Sequence, residues 1–467
     1  MKISNPLTLL ISLLIYTTPQ SVQAQQSVDS SSLSAPLEPK LEQLKAQLWS
    51  AQANSSVWQQ RQDLTQTRLR QAIAPYNPSV DIAATGWRSG QREQTFALSQ
   101  PVDVWGQRKA QQQVLSQQLD AERLRQSRYQ AEFEVLFNAH VALVLNANRT
   151  AHIAQQQLQL QQEALVAAQQ RFTAGAIAQV EVQRIALQVT RLQNQHQQTL
   201  WQQEQAAQQF LSIGSAANIN MPTSAQVMQW RLDPPALQTI QADRLDDLML
   251  AEAQQNLRLI EAQQRQLHTQ ARGNPTVSLG MQREESNDIN TSNTRLMLGV
   301  SMPINLFRNN LPQQFALQTQ LQWQMQSSQQ LVTQRQRQVA MLSARNQQYR
   351  EQLQQFRDNI LPATEQVRQK TWLGFKAGKF SLLDAQQAQR DVLEAIQMAS
   401  ELESNIWQVT ADLAALSVGW EPERLDLADP VVLQQQWSQW QQSLWSSANT
   451  LINNTFEMSS SLSGENP

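Results

Sequence analysis

The chain has 467 residues, of which only 12 are Gly and 17 Pro while 84 are Gln, and 16% are charged. So few breakers exclude collagen-like and turn-dense all-β folds, which break the chain every ~8–12 residues. A balance of 36 basic against 38 acidic residues excludes nucleic acid as a partner, because counter-ion release needs a basic surface, and the lack of cysteine excludes disulfides, zinc thiolates, thiol catalysis and lipidation of an N-terminal cysteine.

Residues 1–24 read as a secretory signal peptide. Met1 and Lys2 form a short basic region, Leu7 to Tyr16 an apolar core, and Val22-Gln23-Ala24 a small-residue cleavage site. That core is too short for a hydrocarbon layer, which takes about 20 residues, so the mature chain is expected to be exported and to start near Gln25.

The mature chain reads as six long helices. Between Gly106 and Gly175 there is neither Gly nor Pro, and a helix of that length extends about 100 Å at ~1.5 Å per residue. Other breaker-free runs cover 40–74, 176–213, 236–272, 313–361 and 379–418. Gln suits such rods because it is a straight-chain, uncharged helix former. Apolar residues recur in narrow stripes, Val182, Ile185, Val189 and Leu192 by threes and fours, and Leu158, Leu165 and Phe172 by sevens, which predicts coiled-coil contact.

Two inserts, 79–103 and 276–304, change to period two. Val80, Ile82 and Ala84 alternate with Ser79, Asp81 and Thr85, then Phe96 and Leu98 with Thr95 and Ser99; Val277, Leu279, Met281, Leu296, Leu298 and Val300 alternate in the second insert. Each predicts a hairpin of strands, with loops at Ser89–Gln94 and Glu284–Asn293. One apolar face on strands of about ten residues is the pattern of a membrane-spanning strand. Val80, Ile82, Phe96, Leu98, Val277, Leu279, Leu296 and Leu298 are the predicted lipid-facing residues, and Ser79 and Thr95 are predicted to face a lumen. Four strands cannot close a barrel and lipid tolerates no open edge, so closure requires further copies; three copies give 12 strands and are the smallest assembly with a lumen.

The plan is duplicated. Phe172-Thr173-Ala174-Gly175-Ala176-Ile177 recurs as Phe375-Lys376-Ala377-Gly378-Lys379-Phe380, Leu98 to Val102 as Val300 to Ile304, Asn77-Pro78 as Asn274-Pro275, and Leu211 to Gly214 as Leu416 to Gly419. Four markers in one order divide the chain into a first repeat, 25–230, with a tip at 173–179; a second, 231–425, with a tip at 376–382; and a C-terminal extension, 426–467, partly disordered. In the extension Leu433, Trp437, Trp440 and Leu444 predict a short amphipathic helix ahead of a Ser-rich tail.

With the Asn-Pro pairs before the strands, Ser-Gln-Pro-Val-Asp-Val-Trp-Gly-Gln-Arg-Lys at 99–109, Arg-Phe-Thr-Ala-Gly at 171–175 and Ala-Gly-Lys-Phe-Ser-Leu-Leu-Asp-Ala-Gln at 377–386, the sequence resembles the TolC family of outer-membrane efflux proteins from about Leu41 to Gly419. The resemblance implies a mainly α fold with a small transmembrane β part. In it, a homotrimer forms a 12-stranded barrel in outer-membrane lipid of a Gram-negative bacterium, continued through the periplasm by an α-helical tunnel. It also implies two partners at the closed tip, a periplasmic membrane-fusion adaptor and an inner-membrane pump of the RND type. The stretch from Ser99 to Lys109 is most similar to the branch serving heavy-metal cation pumps. Two features depart from the family: many members carry the N-terminal cysteine that is absent here, and Gln387 stands where TolC has a second tip aspartate.

Candidate sites follow from the tips. Ala174, Gly175, Ala377 and Gly378 are predicted adaptor-docking points, at the far ends of the longest helices. Glu181 and Asp384, six residues beyond each tip Gly, serve either as helix-dipole compensation or, in a trimer, as rings of carboxylates that attract cations; the resemblance places Asp384 at a pore constriction. There is no P-loop, G-x-S-x-G or H-E-x-x-H, and His140, His152, His196 and His268 lack ligand spacing and are expected on helix surfaces. No enzyme activity, metal or cofactor is expected. Trp87 and Trp105 are candidates for a membrane-interface belt or for packing. The function expected is a passive exit duct of a tripartite efflux system; the alternative is a periplasmic coiled-coil structural or adaptor protein without a membrane barrel.

Overall fold

The computed structural model describes residues 37–51, 54–86, 91–214, 219–234, 248–286, 291–303 and 310–443. The signal peptide, Trp87, Ile304, Leu444 and the Ser-rich tail lie outside the described residues. Helices α1 (Leu37–Ala51) and α2 (Asn54–Ile73) lead into strands β1 (Ser79–Thr85) and β2 (Gln91–Pro101). Helix α3 (Gln107–Thr173) then runs 67 residues to the first tip, and α4 (Gln179–Ile213) returns. After the short α5 (Ser224–Val227), the second repeat follows as α6 (Leu248–Gln270), β3 (Thr276–Ser286), β4 (Thr291–Ser301), α7 (Leu311–Gln355), α8 (Leu361–Lys376) and α9 (Leu382–Ser417), and α10 covers 430–443.

Helix α7 ends at Gln355, six residues before the expected end of its breaker-free run at 361, yet the rod continues. Pro362 removes an N–H and would clash with the carbonyl four residues back. The backbone answers with a π turn, Phe356–Ile360, that lets α8 continue to the tip, with Pro362 in its first turn. Arg357 in this turn pairs with buried Glu403 of α9 at 2.5 Å, and Glu403 also takes Arg149 of α3 at 2.5 Å. The strands also extend past the expected loops. Arg92, Glu93, Gln94, Arg283, Glu284 and Glu285 are paired across β2 and β3, because polar side chains are admitted once a strand rises above its apolar rows.

The main core sits in the upper middle of α3, where Phe133, Leu136, Phe137 and Val144 are at most 2% exposed and meet α1, α4, α9 and α10. A fully buried Phe or Leu stabilises by roughly 1.5–3 kcal/mol. Helix α10 packs as its periodicity predicts. Leu433, Trp437 and Trp440 are buried, Trp440 stacks on Tyr129 at 4.5 Å, and its Nε1 donates to the Tyr129 carbonyl at 3.3 Å. His140 corrects the surface expectation. It is 2% exposed, edge-on to Trp437, with Nδ1 2.8 Å from the Leu136 carbonyl. Asn138 is on the solvent side of the helix, and His140, two positions on, is covered by Trp437 of α10.

Nearer the tips the seam is made by alanines. Ala164 and Ala168 of α3 close on Ile185 of α4, and Ala167 meets Phe375 and Ala385, whereas Phe172 of the heptad stripe stays exposed. Small side chains let the helix axes approach closely, so the larger Leu158 and Leu165 are only half-buried beside the contact.

Candidate functional site

The four strands form one antiparallel sheet in the order β1-β2-β3-β4, so β2 and β3 join the repeats while β1 and β4 are edges. Register aligns Val80, Leu98, Leu279 and Leu298 in one row, Ile82, Phe96, Met281 and Leu296 in the next, and Gln100, Val277 and Val300 in a third. All eight predicted lipid-facing residues therefore share one face, and every one is exposed, up to 82% at Leu296. The opposite face carries Ser79, Ser99, Ser278 and Gly299, then Asp81, Ala97, Gly280 and Met297, then Ala83, Thr95, Gln282 and Arg295. A sheet apolar on one side, polar or small on the other and uncovered on its apolar side has no soluble core of its own.

The motif from Ser99 to Lys109 is the joint between sheet and helices. Asp103 accepts from the amides of Gln107 and Arg108 at 2.8 and 2.9 Å, satisfying two orphan donors at the start of α3. The Gln107 side chain donates to the carbonyls of Thr269 and Arg272 and accepts from Asn274 at 2.9 Å. Trp105 donates to the Gly273 carbonyl at 3.0 Å, under the Arg272 guanidinium, and so is a packing residue of the joint. Asp103 acts within five residues of itself, whereas the partners of Trp105 and Gln107 lie 162 to 168 residues away in sequence, where no local pattern points to them.

Both tips close by the same device. The amides of Gly175 and Ala176 donate to the carbonyls of Phe172 and Arg171, and those of Gly378 and Lys379 to Phe375 and Gly374, so each rod ends in a Schellman motif. Gly175 and Gly378 have φ of 74° and 76°, a left-handed conformation that a side chain with Cβ adopts at a cost. Ala174, Gly175, Ala377 and Gly378 are all exposed. Arg171 unites the two tips, its guanidinium 4.5 Å over the Phe375 ring and its Nη1 donating to the Phe375 carbonyl at 3.2 Å.

Glu181 and Asp384 occupy the third position of their helices, and no hydrogen bond or ion pair joins them among the described residues. Asp384 belongs to a capping box: its Oδ2 accepts from the Ser381 hydroxyl at 2.7 Å and the Ser381 amide at 3.0 Å, while Ser381 Oγ accepts from the Asp384 amide. The Ser381 hydroxyl and then its amide hold this carboxyl below its ordinary range, so it stays ionised. The first repeat has Ala178 at the same cap, with no side-chain bond. Among the described residues no cluster of three metal-ligating side chains occurs and no helix is long and apolar enough to cross a membrane.

No family model matches the sequence, and no curated protein does. Solved structures do. The outer-membrane protein VceC of Vibrio cholerae is similar at a TM-score of 0.60 and 13% identity, over 82% of this chain and 97% of that one. CusC, described in terms of transmembrane channel formation, is similar at 0.56 and 14% identity over 82% and 92%. The outer-membrane channel CmeC of Campylobacter jejuni is similar at 0.54 and 12% identity over 91% and 97%. The fold is that of the TolC-type outer-membrane channels. Within that fold the sheet is the β part and the paired rods are the helical part, and the similarity extends over nearly the whole length of each channel.

Proposed function

We propose that the protein is the outer-membrane exit duct of a tripartite efflux system, a homotrimer that conducts passively what an inner-membrane pump and a periplasmic adaptor deliver. The observation that carries this is the sheet, with two uncovered apolar rows and a third that holds Val277 and Val300 beside Gln100, a largely polar reverse face and two edges that pair with no other strand among the described residues. Internal duplication supplies the closure. Whatever β2 does to β3 inside the chain, β4 can do to β1 of the next copy, since each pair is the same element of the repeat.

That symmetry fixes a register. Leu98 faces Leu279 within the chain, and the repeat offsets carry Leu98 onto Val300 and Leu279 onto Ile82. Val300 is therefore expected opposite Ile82 of the neighbouring copy. In a chain without native cysteine, the double variant Val300→Cys with Ile82→Cys should oxidise to a covalent trimer on denaturing gels of outer-membrane fractions. A protein that stays monomeric and fractionates with soluble periplasm would instead be a coiled-coil structural or adaptor protein.

The tips are the docking surface in this reading. Gly175→Trp or Gly378→Trp should abolish efflux at normal trimer yield, whereas Asn, which tolerates a left-handed backbone, should retain most of it. Full complementation of a deletion strain by both Trp variants would remove the tips from docking.

Asp384, with Glu181, forms the constriction in this reading. Asp384→Asn should lower cation over anion selectivity in planar bilayers. Ser381→Ala is the control, because it removes a cap worth about 1 kcal/mol but leaves the charge. Equal loss in both variants would make Asp384 a capping residue only.

A further inference from the structure

We propose that Arg92 and Arg283, on the outward face just above the apolar rows, bind the phosphate groups of membrane lipids. The inference rests on the duct reading and adds a ligand to it. Above the last apolar row, Ile82-Phe96-Met281-Leu296, the same face continues with Ala84, Gln94, Arg283 and Thr294, and then with Arg92 and Glu285. Rows on one face are two residues apart, so these lie about 7 and 14 Å beyond the apolar edge. The headgroup zone adds about 5–7 Å to each side of the hydrocarbon, and an arginine side chain reaches across the difference.

The charges at this end are sorted by face. Outward stand Arg92, Arg283 and Glu285; inward stand Glu93, Glu284 and Arg295, with Arg295 3.5 Å from Glu284. The outward set is net positive and the inward set net negative, although the strands carry both signs in mixed order along the sequence. Arg283 Nη2 meets Glu285 Oε1 at 2.9 Å, with both side chains about half exposed at 53% and 42%, and an exposed pair of this kind holds its partner weakly. Gln94, with its amide turned, accepts from Arg92 Nε at 3.3 Å and from Arg92 Nη2 at 3.2 Å. Each guanidinium has five N–H donors, and its planar fork matches two phosphate oxygens at once. In a closed trimer six such guanidinium groups would girdle the barrel against three carboxylates.

The test is native mass spectrometry of the detergent-solubilised trimer titrated with phosphatidic acid or with phosphatidylcholine, beside insertion of the same protein into vesicles of each composition. Phosphatidic acid is expected to bind preferentially and to weaken with salt. Arg92→Gln and Arg283→Gln should each weaken it about fivefold, and Glu285→Gln should tighten it. Equal binding of the two lipids, or an unchanged affinity in the double Arg variant, overturns the proposal. Displacement by inorganic phosphate at equal concentration assigns the site to the free ion and overturns the lipid as its ligand. Failure to enter vesicles of either kind is a different result, and it overturns the duct reading itself.

Discussion

Leu298→Arg is expected to cost each chain about 2–4 kcal/mol of stability in a bilayer, while Ser278→Arg, one residue out of phase on the neighbouring strand, costs far less. Leu298 is 77% exposed and pairs with Leu279 in the middle apolar row, and Ser278 pairs with Gly299 on the reverse face. A guanidinium at Leu298 would be placed in hydrocarbon at mid-depth, whereas one at Ser278 would enter the lumen. In the proposed trimer three copies would carry the substitution, so the loss should be visible as collapse of heat-modifiable trimers in outer-membrane extracts. The same two variants in detergent micelles, where water reaches both faces more readily, should differ less. Equal tolerance on the two faces in a bilayer would sink the membrane-spanning barrel.

The second large effect is expected from acid. His140 is buried beside Trp437, and burial lowers its pKa from 6.5 to about 4, against a smaller upward pull from the Leu136 carbonyl. The unfolded chain takes up a proton as pH falls below about 6.5 while the native chain does not. The stability this neutral imidazole contributes is thus fully present above pH 6.5 and drains away as pH falls towards 4, about 3 kcal/mol over the interval at ~1.36 kcal/mol per unit. Glu132 and Asp412 are shifted upward, first by burial, and titrate in the opposite sense. They are common to wild type and His140→Leu, so the difference between the two chains isolates the histidine. Thermal unfolding between pH 7 and 4.5 should show wild type losing ground to His140→Leu throughout that range. Parallel curves would mean that the imidazole finds a proton-accepting partner on acidification.

Features that depend on a few neighbouring residues were legible in the chain alone. Breaker-free runs set the rods, because α-helix continues until Gly or Pro makes another conformation cheaper. The repeated Ala-Gly placed both tips, because a left-handed C-cap favours Gly. Period two marked the strands and sorted Val80 to Leu298 onto one face, since alternation is a property of the extended backbone alone.

Long-range packing settled everything that depends on what stands opposite. The heptad residues Leu158, Leu165 and Phe172 looked like a seam, yet Ala164, Ala167 and Ala168 make it, because the partner helices come close enough to favour small side chains. Pro362 looked like an end, yet a π turn absorbs it while Glu403 clamps Arg357 and Arg149. His140 looked like a surface residue until α10, nearly 300 positions later, covered it. Trp105 and Gln107 read as parts of one motif, and their work is to hold the carbonyls of Thr269, Arg272 and Gly273, more than 160 positions later. Periodicity fixes which residues share a face, but only the packing of distant elements fixes what that face meets, because burial and hydrogen-bond partners belong to pairs of elements and not to either one.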